Sequence, residues 1–208
     1  MSHPPGSQTT VVITGGPQGG KSTLLRRLQA DPEVRDLLTV VPEAATILWL
    51  NGHPLPDASW GDEQWSRLQE AITALQLSLE QSLGGRTALT ICDRAPFDNL
   101  AYPFGEAALR LLMGEDYMAQ MSRYDMVVHM ESLATGEPHR FGGPMVGGTE
   151  GRYEHLAEAQ DLEMKTRSVW QSHPNWRFVG AARPFAEVLD EASSLIKAHL
   201  SAVLGRPR

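Results

Sequence analysis

The sequence predicts an α/β protein in which helices cover both faces of a parallel β-sheet. Five short runs of apolar and β-branched residues recur along the 208-residue chain, without the alternation typical of half-exposed strands. Longer segments between them carry apolar residues every three or four positions, the period of an amphipathic helix. Strands that alternate with helices in this way form parallel sheets. The predicted strands are Thr9–Thr14, Leu38–Val41, Thr87–Cys92, Met126–Met130 and Trp176–Val179.

Three helices are predicted in the first half of the chain. Lys21–Ala30 precedes an Asp-Pro pair that stops it, and Ala44–Leu50 ends at an Asn-Gly pair. The third helix follows a Pro- and Gly-rich loop and ends at the glycine pair 84–85. It is the most periodic segment of the chain, with an inward face formed by Trp65, Leu68, Ile72, Leu75 and Leu79.

The second half of the chain is less regular. Residues 95–122 are mixed, with helical stretches at Glu106–Met113 and Tyr117–Ser122, and they are expected to hold a substrate pocket or a homodimer surface. Thr135–Gly151 contains six glycines and two prolines, so we expect a mobile loop there. Long helices are predicted from about Arg152 to Trp170 and over Pro184–Val203.

Composition limits the class of protein. The chain has 18 basic and 25 acidic residues and a formal charge of −7, which argues against a nucleic-acid-coating role. The single cysteine, Cys92, excludes an internal disulfide. Neither a secretory signal nor a stretch long enough to span a membrane is recognisable, so the cytoplasm is the expected compartment. We expect a disordered lead-in over residues 1–8 and a single domain over 9–204, with a lid at about 132–152.

A glycine-rich loop between the first strand and the first helix carries the clearest chemical signal. Residues 15–22 (GGPQGGKS) fit G-x-x-x-x-G-K-[ST], the phosphate-binding loop or P-loop. Its glycines let backbone N–H groups form a nest for an anion, and the following helix N-terminus adds partial positive charge. Lys21, one of only three lysines, would reach the β- and γ-phosphates, and the Ser22 hydroxyl would ligate Mg²⁺.

This motif predicts a P-loop NTPase fold that binds ATP or GTP with Mg²⁺. The predicted nucleotide-binding residues are the loop itself and the start of the helix: Gly15, Gly16, Pro17, Gln18, Gly19, Gly20, Lys21, Ser22 and Thr23.

Carboxylates follow the second and third strands, at the sheet edge where open α/β sheets bind ligands. Asp93 is suited to hold Mg²⁺ through water, or else caps the next turn. Arg94 could contact a phosphate, anchor a substrate or form a surface salt bridge. Glu43 could take a proton from a substrate hydroxyl or position water, or it could simply be a favourable acid at a helix N-terminus. Lys21, Glu43, Asp93, Arg94 and Arg152 form the predicted catalytic set.

Arginines near the expected lid are candidates for transition-state stabilisation. Arg140 lies in the glycine-rich segment and Arg152 begins the helix after it, whereas Arg167 lies near the helix end. A guanidinium that closes on the nucleotide would offset the charge that develops during phosphoryl transfer. The alternative is that a solvated helix carries them. Aromatic residues could line an acceptor pocket or pack in the core: Trp49, Trp60, Phe97, Tyr102 and Phe104.

Taken in order, several strings resemble one family. ITGGPQGGKSTLLRRL, VVPEAA, CDRAPFDNLAY, YDMVVHMES and GRYEHLAEAQDL, with a closing W-x-x-H-P-N, resemble the P-loop AAA-type domain of the ribosylnicotinamide kinases over about residues 9–200. The same domain occurs in bacterial ATP/GTP-binding proteins and in an animal phosphoinositide-binding GTPase.

The resemblance implies a kinase-like P-loop fold, with sheet order 2-3-1-4-5 and a flexible lid. By similarity, Glu43 matches the acid that deoxynucleoside-kinase-like enzymes place after the second strand. Asp93-Arg94 matches their acidic-Arg pair, and Arg152 matches a lid arginine.

Three functions are compatible with these features. The leading hypothesis is ATP- or GTP-dependent, Mg²⁺-assisted phosphoryl transfer to the hydroxyl of a small, nucleoside-like acceptor. The second is a regulatory NTPase switch with a protein or lipid partner. Its Ras-like version is weakened because no N/T-K-x-D motif follows a late strand. The third, a non-catalytic nucleotide-binding module, leaves Glu43, Asp93 and the arginines without a purpose.

Overall fold

A computed structural model describes residues 8–142 and 155–205 and contains a five-stranded parallel sheet. The strand order β2-β3-β1-β4-β5 confirms the predicted 2-3-1-4-5 arrangement. At the sheet centre Val12 of the first strand pairs with Cys92 on one side and Val127 on the other. The strands are β1 (Thr9–Thr14), β2 (Leu38–Val41), β3 (Leu89–Asp93), β4 (Met126–Met130) and β5 (Trp176–Val179).

Helices connect the strands as predicted. They are α1 (Lys21–Ala30), α2 (Ala44–Leu50), α3 (Asp62–Leu83), α4 (Gly105–Met113), α5 (Leu133–Gly136), α6 (Leu156–Trp170) and α7 (Phe185–Val203). Four 3₁₀ turns complete the described elements: Arg35–Leu37, Pro96–Ala101, Tyr117–Arg123 and Pro138–Arg140. Within the described ranges, no helix is both long and apolar enough to cross a membrane.

Alternate residues of each strand bury into two separate cores, one on each face of the sheet. Val11 and Ile13 pack in the core that contains the apolar sides of α1 and α7. Val12 faces the opposite way, into a core that contains Phe97 and Trp170. Successive side chains of a strand point to opposite faces, so a strand covered on both sides is apolar throughout. This explains the absence of alternation in the sequence.

The structure corrects the prediction for the segment after β4. In place of a continuous loop, the described part contains α5 and the 3₁₀ turn Pro138–Arg140. The Ser132 hydroxyl accepts a hydrogen bond from the Ala134 N–H and caps α5. The next helix, α6, begins at Leu156 rather than at Arg152. Residues 143–152 of the expected lid, Arg152 among them, lie outside the described residues.

The structure also decides between the two alternatives for Phe97 and revises the expectation for Gln8. Phe97 is fully buried and packs edge-on against Tyr124 and Trp170, so it belongs to the core and not to a substrate surface. Gln8 was expected within the disordered lead-in, but its Nε2 donates to the Gly85 carbonyl at 2.6 Å.

The buried face of α3 is more polar than its apolar periodicity indicates. Leu68 is buried, but Trp65, Ile72, Leu75 and Leu79 are only half-buried. The other buried residues of this helix are Gln69, Thr73 and Gln76. Side chains spaced by three or four residues share one helix face. A polar stripe of α3 therefore faces the protein interior beside the apolar one.

Candidate active site

The P-loop joins the end of β1 to the start of α1 in a conformation that favours glycine. Gly15 has φ +120°, and a Cβ at this position would collide with the main-chain carbonyl oxygen of Met130. Gly20 has φ +89° and immediately precedes α1. Positive φ is unstrained only for residues without a Cβ. The glycines therefore allow the loop to pack closely against the end of β4.

Lys21 lies over the loop that it follows. Its Nζ donates to the carbonyl of Gly15 at 3.0 Å and to that of Gly16 at 2.7 Å. The first turn of α1 contains no acidic residue, so the partial positive charge of the helix N-terminus is not offset locally. The loop, the helix end and the ammonium together form a site for a polyphosphate.

Side chains from distant parts of the chain hold the loop from behind. Glu163 of α6 is 2% exposed, and its Oε2 accepts the Gly16 N–H at 2.7 Å and the Ser132 N–H at 3.2 Å. Its Oε1 lies 2.6 Å from Nε2 of the buried His129. The Ser132 hydroxyl donates to the Pro17 carbonyl. Glu163 and Ser132 were not among the predicted site residues: Ser132 ends the string YDMVVHMES, but no local spacing marks either side chain as a support of the P-loop.

The pKa of Glu163 lies below its usual value. Burial alone would raise this pKa, but hydrogen bonds from His129, Gly16 and Ser132 favour the ionised form and outweigh it. A negative charge is thus fixed behind the first turn of the P-loop, where it orients the Gly16 N–H.

The carboxylates predicted after β2 and β3 come together on one side of Lys21. Arg94 joins Glu43 to a further carboxylate, Asp98, because its Nε donates to Glu43 Oε1 at 2.6 Å and its Nη1 to Asp98 Oδ1 at 3.3 Å. Arg94 is not at the surface: its side chain is 15% exposed, and its backbone has φ +64°. A non-glycine residue in this region is held there by its surroundings and is typical of functional sites.

Glu43 and Asp93 have pKa values shifted in opposite directions. Burial and the charge of Glu43 raise the pKa of Asp93 to about 7. Burial opposes ionisation of Glu43 as well, but Arg94, the Thr46 hydroxyl and Lys21 hold its pKa below the usual value. Paired groups whose surroundings separate their pKa values are common in catalytic sites. Glu43 is therefore ionised at neutral pH, and Asp93 can exchange a proton.

Asp93 and Ser22 fit the protein side of a magnesium site. The Asp93 Oδ1 atom is buried and has no hydrogen-bond partner among the described residues. Mg²⁺ prefers oxygen ligands and is usually held by one or two protein groups together with substrate phosphates and water. Residues 8–142 and 155–205 contain no cluster of three or more His, Cys, Asp or Glu side chains that could hold a metal alone.

Two cavities adjoin the P-loop, and both are lined by Gly19, Gly20, Lys21 and Ser22. The first, of about 460 Å³, lies among α2, α3 and the turn after β3, with Glu43, Asp93 and Arg94 in its wall. The second, of about 370 Å³, is lined by residues from the ends of β4 and β5 and by Arg140. A substrate could therefore occupy each side of Lys21.

Of the other residues predicted to contact a substrate or nucleotide, some line these two cavities and others lie elsewhere in the protein. Trp49 and Tyr102 line the first cavity, and Arg140 lines the second. Arg167 instead stacks 4.4 Å above the Phe178 ring. Residues that line a cavity and that the sequence analysis missed are Gln69, Gln76 and Asn99 in the first, and Glu131 and Arg183 in the second.

This fold and loop define a P-loop NTPase: a parallel 2-3-1-4-5 sheet with a lysine-bearing glycine loop after its central strand. The chain belongs to the AAA domain family, whose sequence profile matches residues 10–181. A search of curated proteins finds no match to the sequence. Family and fold together indicate nucleotide binding, with NTP hydrolysis or phosphoryl transfer.

Proposed function

We propose that the protein transfers the γ-phosphoryl group of ATP or GTP, assisted by Mg²⁺, to the hydroxyl of a small molecule. The observation that carries this proposal is the first cavity, which meets the P-loop on the side opposite the second. A hydrolase needs room only for water beside the γ-phosphate. A cavity of about 460 Å³ is within the size range of small-molecule sites.

The second cavity is suited to the remainder of the nucleotide. It extends from the P-loop to Arg140, Arg183 and Phe185, which provide two cations and an aromatic surface. Arg140 lies 3.8 Å from Glu137, a loose ion pair at a partly exposed position. A phosphate could displace this weak interaction. Arg152, the other arginine of the expected lid, lies outside the described ranges. It is proposed to contact the transferred phosphoryl group.

The described residues divide the chemistry among them. Lys21 and the P-loop N–H groups orient the phosphates and offset charge as it develops on the transferred group. Glu43 is ionised and lies in the acceptor cavity, so it would accept the proton of the attacking hydroxyl. Arg94 positions Glu43 through its 2.6 Å ion pair. Ser22 and Asp93 would hold Mg²⁺, which supplies further charge neutralisation when bound.

Transfer of labelled phosphate tests the proposal. The protein is incubated with γ-labelled ATP or GTP and Mg²⁺, alone and with nucleosides, nicotinamide riboside, sugars and amino-alcohols. We expect label to appear in one class of acceptor and the release of inorganic phosphate to fall when that acceptor is present. Release that is unaffected by every acceptor would contradict transfer and favour the alternative, an NTPase switch with a protein or lipid partner.

A further inference from the structure

The second cavity contains an acidic side chain among basic and uncharged ones. Glu131 is the one acid among the described residues that border this cavity, and four of the others are basic: Lys21, Arg26, Arg140 and Arg183. A carboxylate beside a polyphosphate is unfavourable, because like charges repel each other. We therefore expect Glu131 to face a part of the nucleotide other than its phosphates.

Contacts with two other segments hold the Glu131 carboxylate in place. Glu131 directly follows β4, and its Oε2 accepts the Ala181 N–H, in the chain after β5, at 2.8 Å. Gly136 of α5 permits a close approach, since a Cβ there would lie 2.6 Å from the same oxygen. The other oxygen, Oε1, takes no part in the hydrogen bonds between described residues. Each carboxylate oxygen has two lone pairs, so the group can accept further N–H groups.

A hydrogen-bond donor lies two residues further along the chain after β5. Arg183 forms an ion pair with Glu191 through Nη2, whereas its Nε is buried and has no hydrogen-bond partner among the described residues. A buried N–H without a partner is unfavourable, and an acceptor atom of a ligand would satisfy it. Because Glu131 binds the Ala181 N–H, the carboxylate and this guanidinium border the same end of the cavity.

An aromatic ring adjoins these polar groups. Phe185 begins α7, lines the second cavity and is 41% exposed. Its ring lies against the P-loop, since a Cβ at Gly20 would be 2.7 Å from the Phe185 Cε2 atom. Every nucleobase has a flat face that can stack on such a ring, so stacking adds affinity without distinguishing one base from another. The choice of base therefore depends on the polar groups at the base edge, Glu131 and Arg183.

Guanine has the edge that these two groups complement. Its N1–H and its N2 amino group are adjacent donors, which one carboxylate can accept together, and its O6 beside them is an acceptor. Adenine has a single amino group on this edge, next to the lone pair of N1, and that lone pair repels a carboxylate. Guanine can therefore form three hydrogen bonds with Glu131 and Arg183, whereas adenine can form two.

We propose that Glu131 selects guanine as the base of the nucleotide by accepting its N1–H and N2 amino groups, while Arg183 Nε donates to O6. The inference rests on the part of the proposed function that places the nucleotide in the second cavity, and it identifies GTP as the preferred phosphoryl donor. A site built for hydrogen bonds discriminates against an analogue that lacks one, because its own polar groups are then left without a partner.

Nucleoside diphosphates test base recognition apart from turnover, since they lack the transferred phosphoryl group. Dissociation constants for GDP, inosine diphosphate and ADP are measured by calorimetry with Mg²⁺ and the full chain, for the unaltered protein, Glu131→Gln and Glu187→Gln. Inosine differs from guanosine by the absence of the N2 amino group. Glu187 is an exposed acid in the first turn of α7 and serves as the control. Glutamine at position 131 keeps an oxygen for the Ala181 N–H, and thermal unfolding shows whether each variant is folded.

The expected result is a preference for GDP that depends on Glu131. In the unaltered protein and in Glu187→Gln, GDP should bind at least about tenfold more tightly than inosine diphosphate or ADP, because each of these lacks one hydrogen bond to a charged group. In Glu131→Gln both ratios should fall towards one. The amide has a single oxygen, and its NH₂ group faces the guanine donors but complements the N1 lone pair of adenine.

Several outcomes would overturn the inference. Equal affinities of the unaltered protein for GDP and inosine diphosphate, or for GDP and ADP, would do so even if Glu131→Gln does not fold. An undiminished preference for GDP in Glu131→Gln would remove Glu131 from base recognition. The proposed function survives these results, because transfer from ATP to an acceptor is measured separately. A Glu131-dependent preference for GDP, with phosphate release that no acceptor alters, would instead support this inference and contradict transfer. Binding of none of the three nucleotides would contradict both.

Discussion

Replacement of Glu163 by glutamine should loosen the P-loop and destabilise the protein. The carboxylate is 2% exposed and accepts two backbone N–H groups and the His129 ring. The neutral amide has nearly the same shape but only one oxygen. Its NH₂ group would therefore point at one of the N–H groups that the carboxylate accepts, and two donors cannot hydrogen-bond each other.

The magnitude follows from these contacts. A hydrogen bond to a charged group contributes about 1.5–3 kcal/mol, and a buried donor left without a partner costs about 1–3 kcal/mol. The amide keeps some of the interactions, so we expect the free energy of unfolding to fall by about 2–4 kcal/mol. Asp161→Asn is the control, since Asp161 lies on the same helix and forms an exposed ion pair with Lys165. Loss of this ion pair should lower the free energy of unfolding by less than about 0.5 kcal/mol.

The effect should depend on pH in a defined direction. The pKa of Glu163 is lowered in the folded protein from an ordinary value of 4.5. The ionised carboxylate therefore stabilises the fold fully above pH 4.5, and this stabilisation is lost as the pH falls through the lower, folded-state pKa. The difference between the unaltered protein and Glu163→Gln should shrink over that acid range.

Urea denaturation at pH 7 and at acid pH measures the stability, and titration with labelled ATP or GTP measures binding. We expect weaker nucleotide binding in Glu163→Gln, because the Gly16 N–H is no longer held by a carboxylate. The reasoning is refuted if Glu163→Gln unfolds at the same urea concentration as Asp161→Asn at pH 7. It is also refuted if the difference in stability is as large well below pH 4.5 as at pH 7.

Three further changes, one of them with a control variant, probe the P-loop and Glu43. Lys21→Ala should abolish nucleotide turnover, measured as release or transfer of labelled phosphate, because the ammonium offsets phosphoryl charge. Glu43→Gln should reduce transfer to the acceptor at least about a hundredfold, with nucleotide affinity changed far less, since general bases contribute about 10²–10⁴-fold. Gly15→Ala should destabilise the fold by more than about 2 kcal/mol, because the new Cβ meets the Met130 carbonyl. Gly52→Ala, at positive φ but in open space, should cost only about 1–2 kcal/mol in the same urea assay.

Each of these predictions has a result that would contradict it. Unchanged turnover in Lys21→Ala would remove the phosphate role of the loop. Equal losses of transfer and of nucleotide affinity in Glu43→Gln would remove its role as a base. Equal stabilities of the Gly15→Ala and Gly52→Ala variants would mean that the close approach to Met130 has no energetic consequence.

Local sequence patterns predicted most of the secondary structure. The strand Met126–Met130 and the helix Lys21–Ala30 have the predicted bounds, and α7 begins one residue after its predicted start. Such elements are encoded by neighbouring residues, through β-branched runs, apolar periodicity and stop signals. The segment after β4 was less predictable. Its glycines and prolines indicate a loop, but a serine cap and tertiary contacts form a short helix within it.

The buried face of α3 shows where periodicity fails. A hydrophobic repeat identifies the apolar positions of a helix. It does not identify polar residues that are buried because they hydrogen-bond another segment of the chain. Gln76 is buried against Ala44 and the Arg94 carbonyl, and Thr73 against Asn99. No feature of the sequence of α3 alone distinguishes these residues from exposed glutamines such as Gln81. The polar wall of the first cavity was therefore missed.

The sequence by itself determined the class of the fold and the position of the phosphate-binding loop, because both depend on neighbouring residues. Strands and helices have characteristic spacings of apolar residues, and the loop has a fixed spacing of glycine, lysine and serine. Only the tertiary structure decided what surrounds that loop. Arg94 pairs with Glu43 from 51 residues away, and Glu163 binds the Gly16 N–H from 147 residues away. Contacts of this kind depend on how helices and strands pack and leave no local pattern in the chain. The tertiary structure thus showed which charged residues lie together. Glu163 supports the P-loop from α6, and Glu43 and Asp93 lie in the wall of the first of two cavities beside it.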